Sequence, residues 1–449
     1  MRKILSLIIT LAICITTANA ESINKTLNSL GVNKSAVAIS IKDIKDGNTI
    51  YEKNERAPML PASTLKLVTS SASVNTLGKD FKYKTQLYKS TNNDLYIKLS
   101  ADPLLTTSDL ERMIEEAKTK NIAPKTFYID DTAFDSIEWG EGWQWDDELN
   151  PLMQKFSIYN INRNLLRIEF SPTTMNNPAS IKIKPFYPIT FINEVITTNK
   201  NQTSVKISKN YDIAPNILSA AGRISNGVNI TLPVPNPKTN FILRLEDSMR
   251  NKKFEYFAQI KNAKLPDSNI YLASETEHEL TPMIEMIIKS SNNFVAETVF
   301  KTAGAVWSNK QGTAQNSIDM LNSYLTSNNL NTEDIKIVDG SGVSKNNIMT
   351  ADFMSDFLVF KSTQDDFEEF KEILPAPGEG TLKNRMLYFK DNLRAKTGTL
   401  SDTSAIAGYL TTKRGKTYAF DIMINDAKTS TTDKKNIEEQ ILRNIYLNY

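Results

Sequence analysis

The chain has 449 residues, 40% of them hydrophobic, with 53 lysines and arginines against 51 aspartates and glutamates. That length accommodates two or three domains. The near-neutral charge excludes the basic field of a nucleic-acid binder and the polybasic patch of an anionic-lipid binder. A single cysteine, Cys14, and a single histidine, His278, exclude a disulfide framework and histidine-rich metal chemistry, so no cofactor or metal is expected.

Arg2-Lys3 precedes an apolar run from Ile4 to Ile15 that ends in Ala18-Asn19-Ala20 before Glu21. This is the pattern of a cleaved secretory signal over residues 1–20, and it predicts export to the periplasm. The run is well short of the roughly 20 residues that span a bilayer, and bulky Ile13 ahead of Cys14 argues against a lipoprotein. Cleavage after Ala20 removes Cys14, and losing Arg2 and Lys3 leaves 51 charges of each sign. A thiol nucleophile is then excluded. A Ser-His-Asp triad would rest on His278 alone, which reads as a surface residue among Glu275, Glu277 and Glu279. If the chain is a serine hydrolase, lysine is the expected base.

Residues 35–42 alternate and are rich in β-branched side chains, and Asp46-Gly47 turns them into Thr49-Ile50-Tyr51 as a hairpin. A helix beginning near Ser63 follows, with Gly78 as a left-handed cap. From Lys79 to Ser274 short strands are expected at 83–88, 95–99, 126–129, 180–183, 204–207, 229–232 and 240–245. One amphipathic helix, Ser108 to Thr119 with a serine cap, interrupts them. Helical periodicity returns at Thr281, breaks at Ser290–Asn293, and resumes over 313–327 and from a Thr350 or Asp352 cap through Phe360. Strands at 405–410 and 418–424 form a second hairpin around Lys413–Lys416. A last helix carries Ile437, Ile441, Leu442, Ile445 and Tyr446 on one face, and its mixed polar face favours packing on a sheet over membrane binding. The predicted division is 21–78 with 275–449 as one domain, and 79–274 as inserted β-rich accessory material, expected as two small domains.

Ser63-Thr64-Leu65-Lys66 places a serine and a lysine one helical turn apart, so the amine reaches the hydroxyl without tertiary help. Ser22-Ile23-Asn24-Lys25 fits the same spacing, so this pattern alone decides nothing. Two further elements follow in order: Ser291-x-Asn293, a common pattern, and Lys396-Thr397-Gly398, which occurs once and lies on a strand-like segment. The ordered set is that of serine penicillin-recognising enzymes. In such a site Ser63 attacks a carbonyl. Lys66 takes its proton once burial and the neighbouring Lys396 lower its pKa. Ser291 relays a proton to the leaving amine, and Asn293 holds the substrate amide. Lys396 and Thr397 bind a terminal carboxylate, and Gly398 leaves room for substrate along the strand. The N–H groups of Ser63 and Thr399 are candidates for the oxyanion hole.

The whole mature chain resembles the class C low-molecular-mass penicillin-binding proteins, the D-alanyl-D-alanine carboxypeptidase/endopeptidase family. The long stretch 67–290 between Lys66 and Ser291 carries that resemblance, as do Ala101-Asp102-Pro103-Leu104, Gly142-Trp143-Gln144-Trp145-Asp146-Asp147, Asp339-Gly340-Ser341-Gly342 and Gly380-Thr381-Leu382. The resemblance implies an α/β penicillin-binding-protein/β-lactamase-type fold, an antiparallel sheet flanked by helices, with a large β-rich insertion forming accessory domains. By position it implies that Asp147, Phe156 and Ser401 contact a diaminopimelate side chain. Lys345 replaces the family's usual arginine, keeping the charge and losing the forked donor. Asp146-Asp147-Glu148-Leu149-Asn150 imitates the deacylating loop of class A β-lactamases but precedes Ser291 instead of following it, and reads as coincidence. Slow penicillin turnover is then expected.

The expected function is an exported serine DD-peptidase acting on peptidoglycan stem peptides or D-Ala–meso-diaminopimelate cross-bridges, with β-lactams as covalent inhibitors. No nucleic-acid partner is expected, and peripheral membrane association stays compatible with the sequence. A serine β-lactamase and an inert peptidoglycan-binding scaffold are the alternatives.

Overall fold

The computed structural model describes residues 23–29, 33–120, 122, 124, 126–209, 216–254 and 259–449. The expected signal segment and Ser22 lie outside them. Helix α1 (residues 23–29) precedes strands β1 (Val37–Asp43) and β2 (Thr49–Lys53), the expected hairpin. A 3-10 turn, Ala62–Leu65, runs directly into α2 (Lys66–Leu77). Then come β3 (Lys82–Ser90), β4 (Leu95–Lys98), α3 (Thr107–Thr119) and β5 (Phe127–Asp130). The next run is β6 (Leu165–Ser171), β7 (Ser180–Lys184), β8 (Thr190–Thr197), β9 (Ser204–Lys209), β10 (Ile217–Ile224) and β11 (Val228–Pro233). Helix α4 (Pro237–Asn251), β12 (Ile260–Asn262) and β13 (Ile270–Glu279) complete the middle of the chain. The last part holds α5 (Leu280–Lys289), α6 (Asn293–Ser308), α7 (Ala314–Ser327), α8 (Ala351–Ser362) and α9 (Phe367–Ile373). It ends with β14 (Leu393–Thr399), β15 (Thr403–Thr411), β16 (Thr417–Asn425) and α10 (Thr431–Asn448).

One antiparallel sheet, ordered β14-β15-β16-β1-β2, joins the two ends of the chain through β1 and β16. Both faces of its centre are covered, so β1 and β16 are buried along nearly their whole length. Along β16, Tyr418, Phe420, Ile422 and Ile424 pack with Ile437, Ile441, Leu442 and Ile445 of α10. The terminal helix thus buries its apolar face on the sheet. Ala419 on the opposite face belongs to a larger core with Leu67 and Val68 of α2, Ile287 and Ile288 of α5, and Phe357 of α8. Among the described residues, no helix is long and apolar enough to cross a membrane.

Between α2 and α5 lie three more sheets: β12-β5-β4-β3-β13, β8-β10-β9 and β11-β6-β7. The first packs with α3 and α4 around Leu110, Ile114, Phe127, Phe241 and Leu245. The other two share a separate core that includes Ile168, Phe170, Val195 and Leu218.

Several local expectations are corrected. Residues 240–245 are helical, because Asn236 caps α4 by accepting from Thr239 N–H, Pro237 stands at its first turn, and Phe241, Leu245 and Met249 form one buried stripe. Among its described residues the accessory region therefore contains two α-helices rather than one. Helix α3 is capped by Thr106, not Ser108, in a reciprocal box with Asp109. Strand β13 runs through residue 275, so that boundary falls inside a strand paired with β3. Gly78 has a positive φ of 84° with ψ of 152°, outside the left-handed helical region, although its N–H still closes α2 on Val74 O.

Candidate active site

The 3-10 turn aims Ser63 and Lys66 to one side. Lys66 is fully buried, and a buried ammonium must find acceptors. It has three: Ser63 Oγ at 2.8 Å, Asn293 Oδ1 at 2.7 Å and the Ser341 carbonyl at 2.6 Å. Burial pulls the Lys66 pKa down to about 7, against the opposing pull of Asp339 and Glu297. Ser63 therefore has in contact an amine that is partly neutral near pH 7. The lowering at Lys66 comes from burial. The lysine–lysine repulsion is felt at Lys396, whose pKa burial and Lys66 together hold well below the usual lysine value.

Lys396 is also fully buried. Its amine donates to Ser291 Oγ and to the Thr397 carbonyl, both at 2.8 Å. The hydroxyls thus divide between the lysines, Ser63 with Lys66 and Ser291 with Lys396. Ser291 occupies the break between α5 and α6 with a φ of +57°, and Asn292 caps α6 by accepting from Val295 N–H. This is the physical reason the sequence's helical period stops there. Asn293 begins α6 with its oxygen on Lys66, while its Nδ2 donates to the Leu152 carbonyl at 3.0 Å. Its amide thus bridges Lys66 to the 150s segment.

Strand β14 is the edge of its sheet. The Leu400 N–H turns inward to Thr403 O, and the Ala395 N–H turns outward to Pro375 O. By alternation, the amides of Thr397 and Thr399 point to the open edge. Gly398 stands against the turn that carries Ser63. A Cβ there would lie 2.8 Å from Ser63 N, 2.9 Å from Ala62 Cβ and 2.9 Å from Pro61 O, so the missing side chain admits the Ser63 turn against the strand. Thr397 Oγ1 donates to Thr381 Oγ1 at 2.7 Å. Gly380, at φ +46°, lets that loop press on Lys289 O at the end of α5.

The exposed Lys345 lies 3.3 Å from Ser401 Oγ and 3.1 Å from Asp402, so those two expected contact residues come together. Asp147 sits half-buried on a 3-10 turn, Trp145–Leu149. Phe156 is 5% exposed and packs edge-on against Trp143 at 5.7 Å, which makes it core behind the site in this structure and leaves it little surface for a ligand. In the β-lactamase-like loop, Asp146 is exposed and Glu148 turns to Lys209 and Lys155. His278 is paired with buried Asp102 at 2.5 Å, with Asp109 3.8 Å from its other nitrogen. Its acidic setting is thus these two aspartates, while Glu275 and Glu277 bind Lys84 and Lys82.

Glu297 was not singled out in sequence, and Ser341 and Thr381 appeared only within segments that carried the resemblance, with no role assigned to the Ser341 carbonyl or the Thr381 hydroxyl. Asp339 accepts from Gly342 N–H, Ser344 N–H and Trp143 Nε1, fixing the glycine-rich turn and tying it to the accessory region. Only the Asp339–Gly342 sequence hinted at such a turn.

The sheet flanked by helices and the pair of buried lysines, each on its own serine, define a penicillin-binding type of serine acyl-transfer enzyme. Residues 19–445 match the D-Ala-D-Ala carboxypeptidase 3 (S13) family, and the chain belongs to that family. It is 24% identical over 435 residues to a D-alanyl-D-alanine carboxypeptidase of Actinomadura sp. (strain R39), covering 90% of this chain and 80% of the relative. It is 23% identical to D-alanyl-D-alanine carboxypeptidase DacB of Haemophilus influenzae, covering 92% and 90%. The fold matches the crystal structure of penicillin binding protein 4 from Haemophilus influenzae with a TM-score of 0.83 at 22% identity, over 94% of this chain and 98% of the other. The same protein complexed with a β-lactam matches at 0.77 with 20% identity, over 92% and 96%.

Proposed function

We propose that the protein is exported by cleavage after Ala20 and hydrolyses the D-Ala-D-Ala bond of peptidoglycan stem peptides in the periplasm, or the D-Ala–meso-diaminopimelate cross-bridge. The observation that carries this reading is the 2.8 Å contact between Ser63 Oγ and the buried Lys66 amine, whose pKa falls to about 7. Neutral Lys66 takes the Ser63 proton while Oγ attacks the penultimate D-alanyl carbonyl. The oxyanion forms against the Ser63 and Thr399 amides, and the leaving amine is protonated through Ser291. Water then hydrolyses the acyl-enzyme, with Lys66 again accepting the proton. Lys396 and Thr397 hold the terminal carboxylate, and a β-lactam carboxylate enters the same place, so β-lactams acylate Ser63. Asp147, Ser401 and Lys345 face the stem-peptide side chain in this reading.

The test is incubation of the purified mature protein with a labelled penicillin, adduct mapping by mass spectrometry, and an assay of D-alanine release from muropeptide monomers and dimers. A Ser63 adduct and release lost in Ser63→Ala are expected. Absence of both, or activity surviving Ser63→Ala, overturns the assignment. Rapid release of penicilloate instead identifies a β-lactamase.

A further inference from the structure

Helix α6 begins with Asn293, and one turn further along the same face stands Glu297. Glu297 is 5% exposed, a burial that a carboxylate tolerates only with donors around it. Its Oε1 accepts from Ser341 N–H at 2.7 Å and its Oε2 from Gly340 N–H at 3.1 Å. Ser341 is also the residue whose carbonyl accepts from Lys66 at 2.6 Å and lies 3.4 Å from Ser63 Oγ. The turn is gripped from both sides. A Cβ on Gly340 would lie 2.7 Å from Phe300 Cβ of α6, and one on Gly342 would lie 1.9 Å from Ala62 O, next to the nucleophile.

We infer that Glu297 is a positioning residue for acylation: it clamps the Gly340–Ser341 amides and so sets the Ser341 carbonyl that holds the Lys66 amine on Ser63. Helix α6 then acts on Lys66 twice, directly through Asn293 and indirectly through Glu297. The charged groups around Glu297 are Lys66 from α2, Asp339 from the turn and Lys301 on its own helix, with Lys396 of β14 beyond Lys66. Burial and Asp339 push the Glu297 carboxyl up, while the Ser341 and Gly340 amides, each donating to one of its oxygens, and Lys66 hold it toward the ionised form. The same negative charge steadies the Lys66 ammonium. Glu297 thus influences both where the amine sits and when it loses its proton.

The inference rests on acylation of Ser63, and an adduct on the unmutated protein that is absent in Ser63→Ala checks that foundation separately. The experiment is the pH dependence of penicillin acylation for the unmutated protein, Glu297→Gln and Glu297→Asp, with thermal melts alongside. The expected result is acylation slowed at least about tenfold in Glu297→Gln, in the range lost when a catalytic group is misplaced. Non-covalent affinity should be little changed, the acid limb of the profile should move to lower pH, and Glu297→Asp should recover part of the rate. A folded Glu297→Gln protein with the original rate and acid limb overturns the inference. If Glu297→Gln does not fold, Glu297→Asp decides: an unchanged rate and acid limb there overturn it, and a slowed, shifted profile supports it.

Discussion

Gly398 stands where any Cβ would come within 2.8 Å of the Ser63 amide nitrogen. The edge strand and the Ser63 turn are therefore in backbone contact, and in the proposed reaction the amides of Ser63 and Thr399 would share the oxyanion. Gly398→Ala is expected to force the two apart and to slow penicillin acylation about 10²-fold or more, the effect of losing one oxyanion donor. A melting curve and an acylation rate measured together check this, since the loss should be far larger in rate than in stability.

Acylation should rise with pH through about 7, following deprotonation of Lys66. The sign follows from the chemistry, because only the neutral amine accepts the Ser63 proton. Lys66→Arg keeps the charge but stays protonated at any working pH. Its rate should fall by roughly 10²–10⁴-fold, the usual contribution of a general base. A stopped-flow pH series on both proteins is the measurement.

Burial and Lys66 hold the Lys396 pKa well below its ordinary value. A ligand carboxylate beside that amine would restore the charged form. Binding of a D-Ala-D-Ala peptide to the Ser63→Ala protein should therefore take up a proton near neutral pH. Calorimetry in buffers of different ionisation enthalpy reads this directly. A binding enthalpy independent of buffer would refute the coupling.

On the central strand β16, both carboxylate oxygens of Asp421 are buried without a hydrogen-bond partner among the described residues. Its register neighbours are Ala407 and Ser40, and the Ser40 hydroxyl is engaged with Ser355 at 2.7 Å. Burial, and secondarily Glu438, raise its pKa well above the usual value. Above the unfolded aspartate pKa the unfolded chain ionises first, so this group lowers stability as pH rises. Asp421→Asn should raise the melting temperature at pH 7 by roughly 2 °C or more, and the two curves should converge near pH 4.

His278 behaves in the opposite sense. The Asp102 hydrogen bond raises its pKa against partial burial, so its stabilisation is complete below the unfolded histidine value and fades as pH rises through the raised one. His278→Gln should cost about 1–2 kcal/mol near pH 5.5 and less above pH 8. Urea melts at both pH values give the comparison.

The residues legible in sequence were those fixed by local geometry or by a short ordered pattern. Ser63 and Lys66 are one turn apart in any helix, and Lys396 sits in a pattern that occurs once. The roles of Glu297, Thr381 and the Ser341 carbonyl were illegible, even where the segment itself stood out, because they are tertiary: each contact joins groups from different elements. Residues 240–245 looked like a strand because a short apolar run has no decisive period, although Asn236-Pro237 ahead of it was a helix start. The packing of Gly398 on the turn before Ser63 was illegible because that turn lies more than 300 residues away in sequence. Strands β8 and β10, not anticipated, pair in parallel with β9 between them in the chain, a non-local arrangement with weak alternation.

The chain leaves the core at β3 and returns along β13, with Lys82 opposite Glu279 and Leu280 N–H donating to Phe81 O. Departure and return are thus antiparallel neighbours about 5 Å apart. Both covalent connections to the accessory region thus run side by side through a two-stranded stem, while Trp143 on Asp339 and the Leu152 carbonyl on Asn293 tie it back to the site. Closing so long a detour adds only slowly growing entropy cost, so the two distant parts of the peptidase can find each other as though the interruption were a surface loop.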